Sequence, residues 1–192
     1  MKRKLLCLCC ILALLSGLFS MTSFAQENIV GYNATLINKV DLTNIPDFNK
    51  YSGGSRDRIY KITDANGLVK LSEEVNKGSD FDGYTIYLAN DLDMSNVSDF
   101  VPIGYYKGSS NKAAFSGIFD GQGYTIDHLK IKVSTGCAGL FGYVCGGEIR
   151  NLIFGYNSSV YTDNNNTGRV AGIVASIEGS EDTLIKNCWN RA

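Results

Sequence analysis

The chain has 192 residues, of which 44 % are hydrophobic, 11 % aromatic and 19 % charged. This mixture excludes a disordered or fibrous protein, and 21 glycines with only 2 prolines favour extended structure. The formal net charge is −1, and without residues 2–4 there are 15 basic residues against 19 acidic ones. A mildly acidic chain with no basic cluster argues against nucleic-acid binding. Its single histidine, His128, excludes metal sites that need two imidazoles.

Residues 1–25 have the three parts of a secretory signal peptide. Basic residues 2–4 precede a 15-residue apolar run at residues 5–19, and Ser23 and Ala25 place small residues at the −3 and −1 positions of a cleavage site. The alternative is a transmembrane anchor, but a bilayer requires about 20 apolar residues. We therefore expect export through this leader, to the medium or the cell surface.

The mature chain divides into a short extension and one larger domain. Residues 26–52 are predicted to form an N-terminal extension or cap, with one strand around residues 34–40. Gly53-Gly54-Ser55 marks a boundary. Residues 53–192 are predicted to form the main domain.

One helix is predicted near the start of this domain. Leu68, Leu71 and Val75 recur at helical spacing between residues 65 and 76. Asp64 is a suitable N-cap. The apolar stripe of this short amphipathic helix must cover something, and we expect it to cover the open end of a stack of strands.

From residue 81 onward the sequence repeats. The motif Phe81-Asp82-Gly83-Tyr84-Thr85-Ile86 occurs again, with two residues inserted, at residues 119–126. A second echo aligns three triplets of glycine and two apolar residues, each followed by a tail that begins with isoleucine. A polar run at residues 157–168 is predicted to be an inserted loop. The triplets begin at Gly117, Gly139 and Gly172, and the tails begin at Ile126, Ile149 and Ile185.

The spacing of these tails predicts a β-solenoid. The isoleucines are 23 and then 36 residues apart, and a period near 23 is typical of one solenoid coil with two or three short strands. The three isoleucines are therefore predicted to stack in file inside. The three glycines are predicted to need positive φ or a close approach of neighbouring coils. A β-sandwich, the alternative, predicts hairpin signals at short spacing.

Each tail also places a polar residue at a turn, namely His128, Asn151 and Asn187. An asparagine in a turn of stacked coils can hydrogen-bond its copy in the next coil. We therefore predict an asparagine ladder in which His128 is the first, atypical step. This structural interpretation of the only histidine is preferred to a catalytic one.

Three segments carry a resemblance to a known repeat family. Gly139-Leu140-Phe141-Gly142, followed by Glu148-Ile149-Arg150-Asn151-Leu152, resembles the GLUG repeat, and Val101-Pro102-Ile103-Gly104 matches the upstream part of such proteins. The resemblance covers about residues 53–192. Gly172-Ile173-Val174-Ala175 departs from the pattern by replacing the last glycine.

GLUG repeats occur in bacterial secreted and surface proteins, including adhesin-like proteins and the non-catalytic part of some IgA metallopeptidases. The resemblance implies a mainly β fold, a right-handed parallel β-helix or similar solenoid, with the predicted helix near its N-terminal end. It carries over no catalytic residue. Because the sequence ends at Ala192 directly after the third tail, we expect the solenoid to be truncated there.

The best acidic cluster is Asp91-x-Asp93, with Asp99 nearby and with Asp120 and Asp127 on neighbouring coils. Oxygen ligands at alternate positions could hold Ca²⁺, and carboxylates on adjacent coils could serve a polysaccharide-active enzyme. Aspartate is also ordinary at turns, and no arginine or lysine base is evident beside the cluster. We therefore expect no cofactor and no catalytic residue, with Ca²⁺ at Asp91 and Asp93 as the alternative.

Four tyrosines are candidate binding residues, namely Tyr105, Tyr106, Tyr156 and Tyr161. Tyrosine combines a flat apolar ring with a hydroxyl, which suits an exposed face that contacts a glycan or a protein. Tyr156 begins the inserted loop, and loops that interrupt a rigid repeat protrude from its side. Exposed tyrosines in loops also occur without any partner.

Three cysteines remain after the leader, so they cannot all pair within the chain. An extended chain from Cys137 to Cys145 spans about 26 Å, whereas a disulfide needs Cα atoms within about 7 Å. We predict no bridge between them. Cys188 takes the inward slot of Leu129 and Leu152 and is predicted to be a small buried hydrophobe.

These observations leave three hypotheses. The first is an exported, non-enzymatic surface or adhesion module that presents loops to an extracellular protein or glycan. The second is a polysaccharide-active β-helix enzyme that uses Asp91, Asp93 and Asp120, and the third is the N-terminal segment of a larger surface protein. Because a parallel stack that ends at Cys188-Trp189 leaves backbone groups unpaired, we also expect self-association through the last coil.

Overall fold

The computed structural model describes residues 39–53, 57–163, 168–179 and 182–192. The predicted leader at residues 1–25, and most of the strand predicted at residues 34–40, lie outside these residues. Within them the chain is mainly β with one α-helix, as predicted. None of the described helices is long and apolar enough to cross a membrane.

The elements are short and follow one another closely. A 3-10 helix at Phe48–Lys50 precedes the first strand, and the α-helix, α1, covers Ala65–Asn76. The strands are β1 (Ile59–Ile62), β2 (Thr85–Leu88), β3 (Leu92–Asp93), β4 (Tyr105–Tyr106), β5 (Lys112–Ala113), β6 (Ile118–Asp120), β7 (Thr125–Asp127), β8 (Lys130–Val133), β9 (Cys137–Ala138), β10 (Glu148–Arg150), β11 (Ile153–Phe154), β12 (Ser159–Thr162), β13 (Arg169–Val170), β14 (Leu184–Lys186) and β15 (Trp189–Asn190).

The helix α1 begins as its sequence predicts. The Asp64 side chain accepts a hydrogen bond from the Gly67 amide at 2.9 Å, which satisfies one of the free N–H groups of the first turn. The apolar stripe of Leu68, Leu71 and Val75 is fully buried. These contacts confirm the predicted helix and its N-cap.

Two hydrogen bonds fix α1 to the segment that follows β3. Ser72 Oγ donates to the carbonyl of Val101 at 2.6 Å, and Asn76 Nδ2 donates to the carbonyl of Pro102 at 3.0 Å. The next residue, Ile103, lies in parallel register with Phe141. The helix therefore lies beside the first level of this column of paired residues, at the end where the stack begins.

Parallel pairing between distant segments builds the fold. The largest sheet has the order β1-β2-β6-β10-β14, and a second has the order β15-β11-β7-β3, with every neighbouring pair parallel. In the first sheet, successive partners are 26, 33, 30 and 36 residues apart. We call each such return of the chain a circuit. Among the described strands, only β4 and β5 form an antiparallel pair of the kind that a sandwich predicts.

The register confirms one predicted pair of isoleucines and corrects another. Ile149 lies opposite Ile185 in β10 and β14, as expected. Ile126, however, lies in the second sheet between Leu92 and Phe154. The predicted file of three isoleucines and the 23-residue period are therefore wrong. The first echo is wrong in the same way, because β2 pairs with β6 rather than with β7.

Turn geometry explains these errors. His128, Asn151 and Asn187 all have left-handed backbone, with φ of 57°, 54° and 51°. The short motif therefore specifies a corner of the chain. The corner after β7 lies at a different place in the circuit from the corner after β10 and β14. The same short sequence motif therefore recurs at two places in the circuit.

The asparagine ladder forms, with a different first step. Asn187 Nδ2 donates to Asn151 Oδ1 at 3.3 Å, which confirms the predicted pair, and Asn151 Nδ2 donates to Asp120 Oδ1 at 3.0 Å. Asp120 is thus the first step, and the prediction for His128 is wrong. The His128 Nδ1 atom lies 3.1 Å from Asp93 Oδ1 at another corner.

The triplet glycines sit where neighbouring backbones approach closely. Gly117, Gly139 and Gly172 do not have positive φ. A Cβ at Gly117 would lie 2.6 Å from the carbonyl oxygen of Phe81, and one at Gly172 would lie 2.6 Å from Asn190 Nδ2. Of the two predicted reasons for glycine, close approach is the correct one.

The polar run at residues 157–168 is not wholly a loop. Strand β12 forms inside it and pairs in parallel with β8, so the prediction of an uninterrupted inserted loop is wrong for residues 159–162. Residues 164–167 lie outside the described residues. This segment forms a strand because β8 offers a parallel edge for its backbone hydrogen bonds.

All three described cysteines are free. The straight strand expected between Cys137 and Cys145 does not form, because β9 ends at Ala138 and the chain then makes isolated bridges at Phe141 and Val144. Cys188 follows Leu152 by one circuit, as expected, but it is only partly buried. Burial nevertheless raises the pKa of its thiol.

The core runs through the circuits and opens at the last one. Ile86, Phe119 and Ile149 lie opposite one another in the large sheet and are all fully buried. Their counterpart in the last circuit, Ile185, is 41 % exposed. The same residue position is therefore buried or exposed according to whether another circuit covers it.

Candidate functional site

A cleft of about 400 Å³ lies between residues 101–107 and residues 132–137. Its walls include Tyr105 and Tyr106 of β4 on one side and Lys132 of β8 on the other. Residues of two different circuits meet here because Ile103 and Phe141, close in sequence to the two walls, lie in parallel register.

Gly104 sets the direction of β4 into the cleft. Its φ is +77°, and a Cβ there would lie 2.6 Å from the carbonyl oxygen of Tyr143, so no other residue fits without displacing backbone. Its amide donates to Asn76 Oδ1 at 3.1 Å, which links the start of β4 to α1. The cleft wall is therefore held by both the helix and the stack.

Tyr106 rests on a buried tyrosine. Its ring centroid lies 5.4 Å from that of Tyr143, with an interplanar angle of 48°. Tyr143 is almost fully buried, and its hydroxyl donates to Glu178 Oε2 at 3.1 Å. Burial and the Glu178 carboxylate raise the pKa of Tyr143 to about 12. Tyr143 therefore stays neutral and gives Tyr106 a fixed support.

Two lysines supply the charge of the cleft. Lys107 Nζ lies 5.6 Å from the ring centroid of Tyr105 and forms an ion pair with none of the described residues. Lys132 Nζ lies 3.1 Å from Asp163 Oδ2, and this hydrogen bond raises the pKa of Lys132. Both amines are exposed at the mouth of the cleft, where contact with an aromatic ring is favourable for a cation.

The other two predicted tyrosines do not line this cleft. Tyr161 lies opposite Lys132 in the register of β12 and β8, and its ring centroid is 5.9 Å from Lys132 Nζ, so it lies at the edge. Tyr156 is 70 % exposed, and its ring centroid lies 5.6 Å from the Arg191 guanidinium carbon. The structure thus brings Tyr105, Tyr106 and Tyr161 to one region and leaves Tyr156 apart from the cleft.

The acidic candidates Asp91 and Asp93 line a second hollow of about 400 Å³ together with Asp64. Asp91 Oδ1 accepts from the Thr125 amide at 2.7 Å. Asp93 Oδ1 accepts from the Ser95 amide at 2.9 Å, and this bond lowers the pKa of Asp93. These carboxylates therefore serve turns and caps of the fold.

Asp120 lies apart from that hollow. Burial alone would raise its pKa, but hydrogen bonds from Asn151, the Gln122 amide and Arg150 outweigh burial and hold the pKa of Asp120 below its ordinary value. Arg150 Nε lies 2.7 Å from its Oδ2. Asp120 is thus an ionised carboxylate fully engaged in joining β6 to β10.

No group of three or more histidine, cysteine, aspartate or glutamate side chains within the described ranges could hold a metal ion. Asp64, Asp91 and Asp93 line one hollow, but each already accepts a hydrogen bond from a backbone amide. Among the described residues, Asp91 and Asp93 are therefore not joined by further side chains into a ligand set for the predicted Ca²⁺.

Sequence reasoning identified the tyrosines of the cleft and missed its lysines. Lys107 could have been found, since it directly follows Tyr105-Tyr106. Lys132 and the supporting Tyr143 carry no signal of their own, because only the return of the chain by one circuit brings them beside β4.

Comparisons with known proteins find a similarity of sequence to one protein and a similarity of structure to another. No protein-family model matches it. It is 32 % identical over 123 residues to halomucin of Haloquadratum walsbyi, a match that covers 57 % of this chain and 1 % of that protein. In structure it resembles a candidate immunoglobulin A1 protease from Bacteroides ovatus, with a TM-score of 0.50 and 20 % identity over 73 % of this chain and 49 % of that one. The chain thus spans a small part of the first and about half of the second, and the structural likeness concerns the fold alone.

Proposed function

We propose that this chain is an exported, non-enzymatic surface module that binds an extracellular protein or glycan in the cleft beside Tyr105 and Tyr106. Its scaffold is a right-handed parallel β-solenoid of the GLUG type. The predicted leader at residues 1–25 directs it to the medium or the cell surface, and binding requires no cofactor.

Repeated parallel pairing supports the solenoid scaffold. The chain returns to the large sheet after every 26 to 36 residues. The parallel bridges Ile103–Phe141 and Phe141–Val174 align Pro102-Ile103-Gly104 with Gly139-Leu140-Phe141-Gly142, so two of the segments that carry the family resemblance occupy the same place in successive circuits.

The cleft is the observation that carries the binding proposal. It joins half-buried tyrosine rings to exposed lysine amines on a rigid support, and concave sites with apolar walls and a few polar groups are typical of ligand binding. The carboxylates that a polysaccharide-active enzyme would use do not converge, since Asp120 is paired with Arg150 away from Asp91 and Asp93. The enzyme therefore stays the second hypothesis.

A binding array tests the proposal. The full chain, produced with its own leader, is applied to immobilised glycans and extracellular-matrix proteins, and the double variant Tyr105→Ala, Tyr106→Ala is compared with Tyr156→Ala. We expect at least one ligand to bind the wild-type chain and Tyr156→Ala alike and to lose at least tenfold in affinity with the double variant. Retained binding in the double variant would move the site elsewhere. Release of sugar from polysaccharides, lost with Asp91→Asn, would favour the enzyme, and calcium-dependent binding would restore the Ca²⁺ alternative.

A second observation favours self-association through the last circuit. Leu184 and Ile185 of β14 are 47 % and 41 % exposed, and the far edge of β14 has no neighbouring strand among the described residues. At the other end, a parallel bridge between Asp47 and Lys61 covers part of the β1 edge. We therefore propose that two copies meet tail to tail.

Light scattering distinguishes this proposal from simple exposure of apolar residues. Leu184→Lys with Ile185→Lys should shift the chain towards the monomer, because the charges would have to be buried between copies. Ile59→Lys, a change of similar exposure at the opposite end of the same sheet, should leave the mass unchanged. A wild-type chain that is monomeric at high concentration would refute the tail-to-tail contact.

A further inference from the structure

We infer that the cleft selects glycans whose sugars carry carboxylates, an inference that rests on the proposed binding function and names its ligand class. The argument follows from the two kinds of side chain that line the cleft. Both are placed by parts of the fold that do not depend on any ligand.

The charge of the cleft is opposite to that of the chain. The chain has 19 acidic residues and a net charge of −1, yet the two charged residues that line the described part of the cleft are Lys107 and Lys132. The hollow beside α1 shows the reverse, because Asp64, Asp91 and Asp93 are its only charged lining residues in the described chain. Charge complementarity therefore favours an anionic ligand in the cleft.

The rings and hydroxyls of the cleft fit a sugar. Tyr105 and Tyr106 are half-buried and offer flat apolar surfaces with polar ends. Ser134 and Thr135 are exposed on the opposite wall, where their hydroxyls can both donate and accept. Sugars combine apolar ring faces with many hydroxyls, and the volume of about 400 Å³ lies within the range of small-ligand sites.

Lys132 already has a carboxylate partner that a ligand can replace. Its Nζ lies 3.1 Å from Asp163 Oδ2, and the two side chains are 51 % and 47 % exposed. Exposed pairs of this kind are weak. A carboxylate from the ligand can therefore take the place of Asp163, while Lys107, which lacks an ion-pair partner among the described residues, binds a second carboxylate directly.

Calorimetry with a matched pair of probes tests the inference. The full chain is titrated with hyaluronan tetrasaccharide and with its methyl ester, which keeps the sugar rings and removes the negative charges. We expect the acid to bind at least tenfold more tightly than the ester, and to bind more weakly as salt is raised. Equal binding of acid and ester would overturn the carboxylate preference and leave the proposed function intact.

Variants of single lysines locate the contact. Lys107→Gln and Lys132→Gln should each weaken binding of the acid about fivefold, as for a partly exposed ion pair. Lys130→Gln changes an exposed lysine of the same strand β8 that does not line the cleft, and it should leave the affinity within twofold. Asp163→Asn should strengthen binding, because it removes the competing carboxylate. Equal loss with Lys130→Gln would reduce the effect to overall charge and refute the site.

An acidic peptide tests the alternative that the ligand of the cleft is a peptide. If hexaglutamate binds more tightly than the tetrasaccharide, the ligand class is a peptide and the inference is overturned. If neither probe binds while the array yields a neutral glycan that depends on Tyr105 and Tyr106, the inference fails and the proposed function stands. If no array ligand depends on these tyrosines, the proposed function fails first.

Discussion

The two ends of the stack treat the same kind of residue in opposite ways. At the N-terminal end, Phe48, Tyr60 and the apolar stripe of α1 close the core, and Ile86 is fully buried. At the C-terminal end, Ile185 occupies the corresponding register position and is 41 % exposed. Burial in this fold is therefore decided by the next circuit, and each exposed apolar side chain forfeits the stabilisation of about 25 cal/mol per Å² that burial gives.

The sharpest test of this comparison uses two isoleucines in direct register. Ile149→Ala should lower the free energy of unfolding by about 2–5 kcal/mol, because it leaves a cavity in a closed core. Ile185→Ala should cost less than about 1 kcal/mol, because the side chain is partly solvated already. Urea denaturation of both variants measures the difference. Equal losses would mean that the last circuit is covered in solution.

A second difference concerns the charges that join the circuits. Asp120 lies in the middle of the stack, nearly fully buried, between Arg150 and Asn151. Asp120→Asn should cost about 1.5–3 kcal/mol, because it removes a charge-assisted bond and leaves the guanidinium poorly paired. Asp163→Asn, which breaks an exposed pair, should cost at most about 0.5 kcal/mol. Similar costs for the two variants would contradict the special position of Asp120.

The lowered pKa of Asp120 predicts how the stability of the fold depends on pH. Because hydrogen bonds hold the pKa of Asp120 below its ordinary value of 3.8, its ionised form stabilises the fold above that value. This contribution is lost as the pH falls from 3.8 through the lower pKa of the folded state. Wild type should therefore lose more stability than Asp120→Asn between neutral pH and pH 3, as thermal melts can measure. Parallel losses would exclude Asp120 as the cause.

The helix that closes the N-terminal end depends on its cap. Asp64→Ala should cost about 1 kcal/mol, because the Gly67 amide loses its partner. Asp64→Ser keeps an acceptor at the same position and should recover most of the loss. Urea midpoints measure both. A full loss with serine would point to the bonds from Asn49 to the Asp64 carboxylate instead.

The smallest expected effect compares the two asparagines of the ladder. Both have left-handed backbone, which glycine adopts freely. Asn151→Gly should cost about 1 kcal/mol, because it breaks the bonds to both Asp120 and Asn187. Asn187→Gly loses one long bond at the open end and should stay within about 0.5 kcal/mol of wild type. A larger cost for Asn187→Gly would show that another circuit lies over it.

Local signals in the sequence were reliable where they act within a few residues. Asp64 and the spacing of Leu68 and Leu71 predicted α1 correctly, and Asn151 and Asn187 predicted their own hydrogen bond. The alignment of Ile126 with Ile149 was wrong because both precede a left-handed corner. A local motif reports the shape of a turn, and it does not report which of several turns in the circuit it forms.

The sequence analysis identified only part of the candidate site. Tyr105 and Tyr106 were identified because their residue type suits binding, whereas Lys132 and Tyr143 were missed. Lys132 belongs to β8 and Tyr143 follows β9, so both lie more than twenty residues further along the chain. No short-range pattern connects them to β4, because their proximity results from parallel register between circuits.

The amino-acid sequence by itself determined the β-rich character of this protein, its helix and the turns at Asn151 and Asn187, since composition, apolar spacing and capping act over a few residues. Only the tertiary structure decided which strands are neighbours, which of two equivalent isoleucines is buried, and that Lys132 lies across a cleft from Tyr105 and Tyr106. The physical reason is that parallel strands pair across connections of 26 to 36 residues, and small differences in connection length shift an entire circuit.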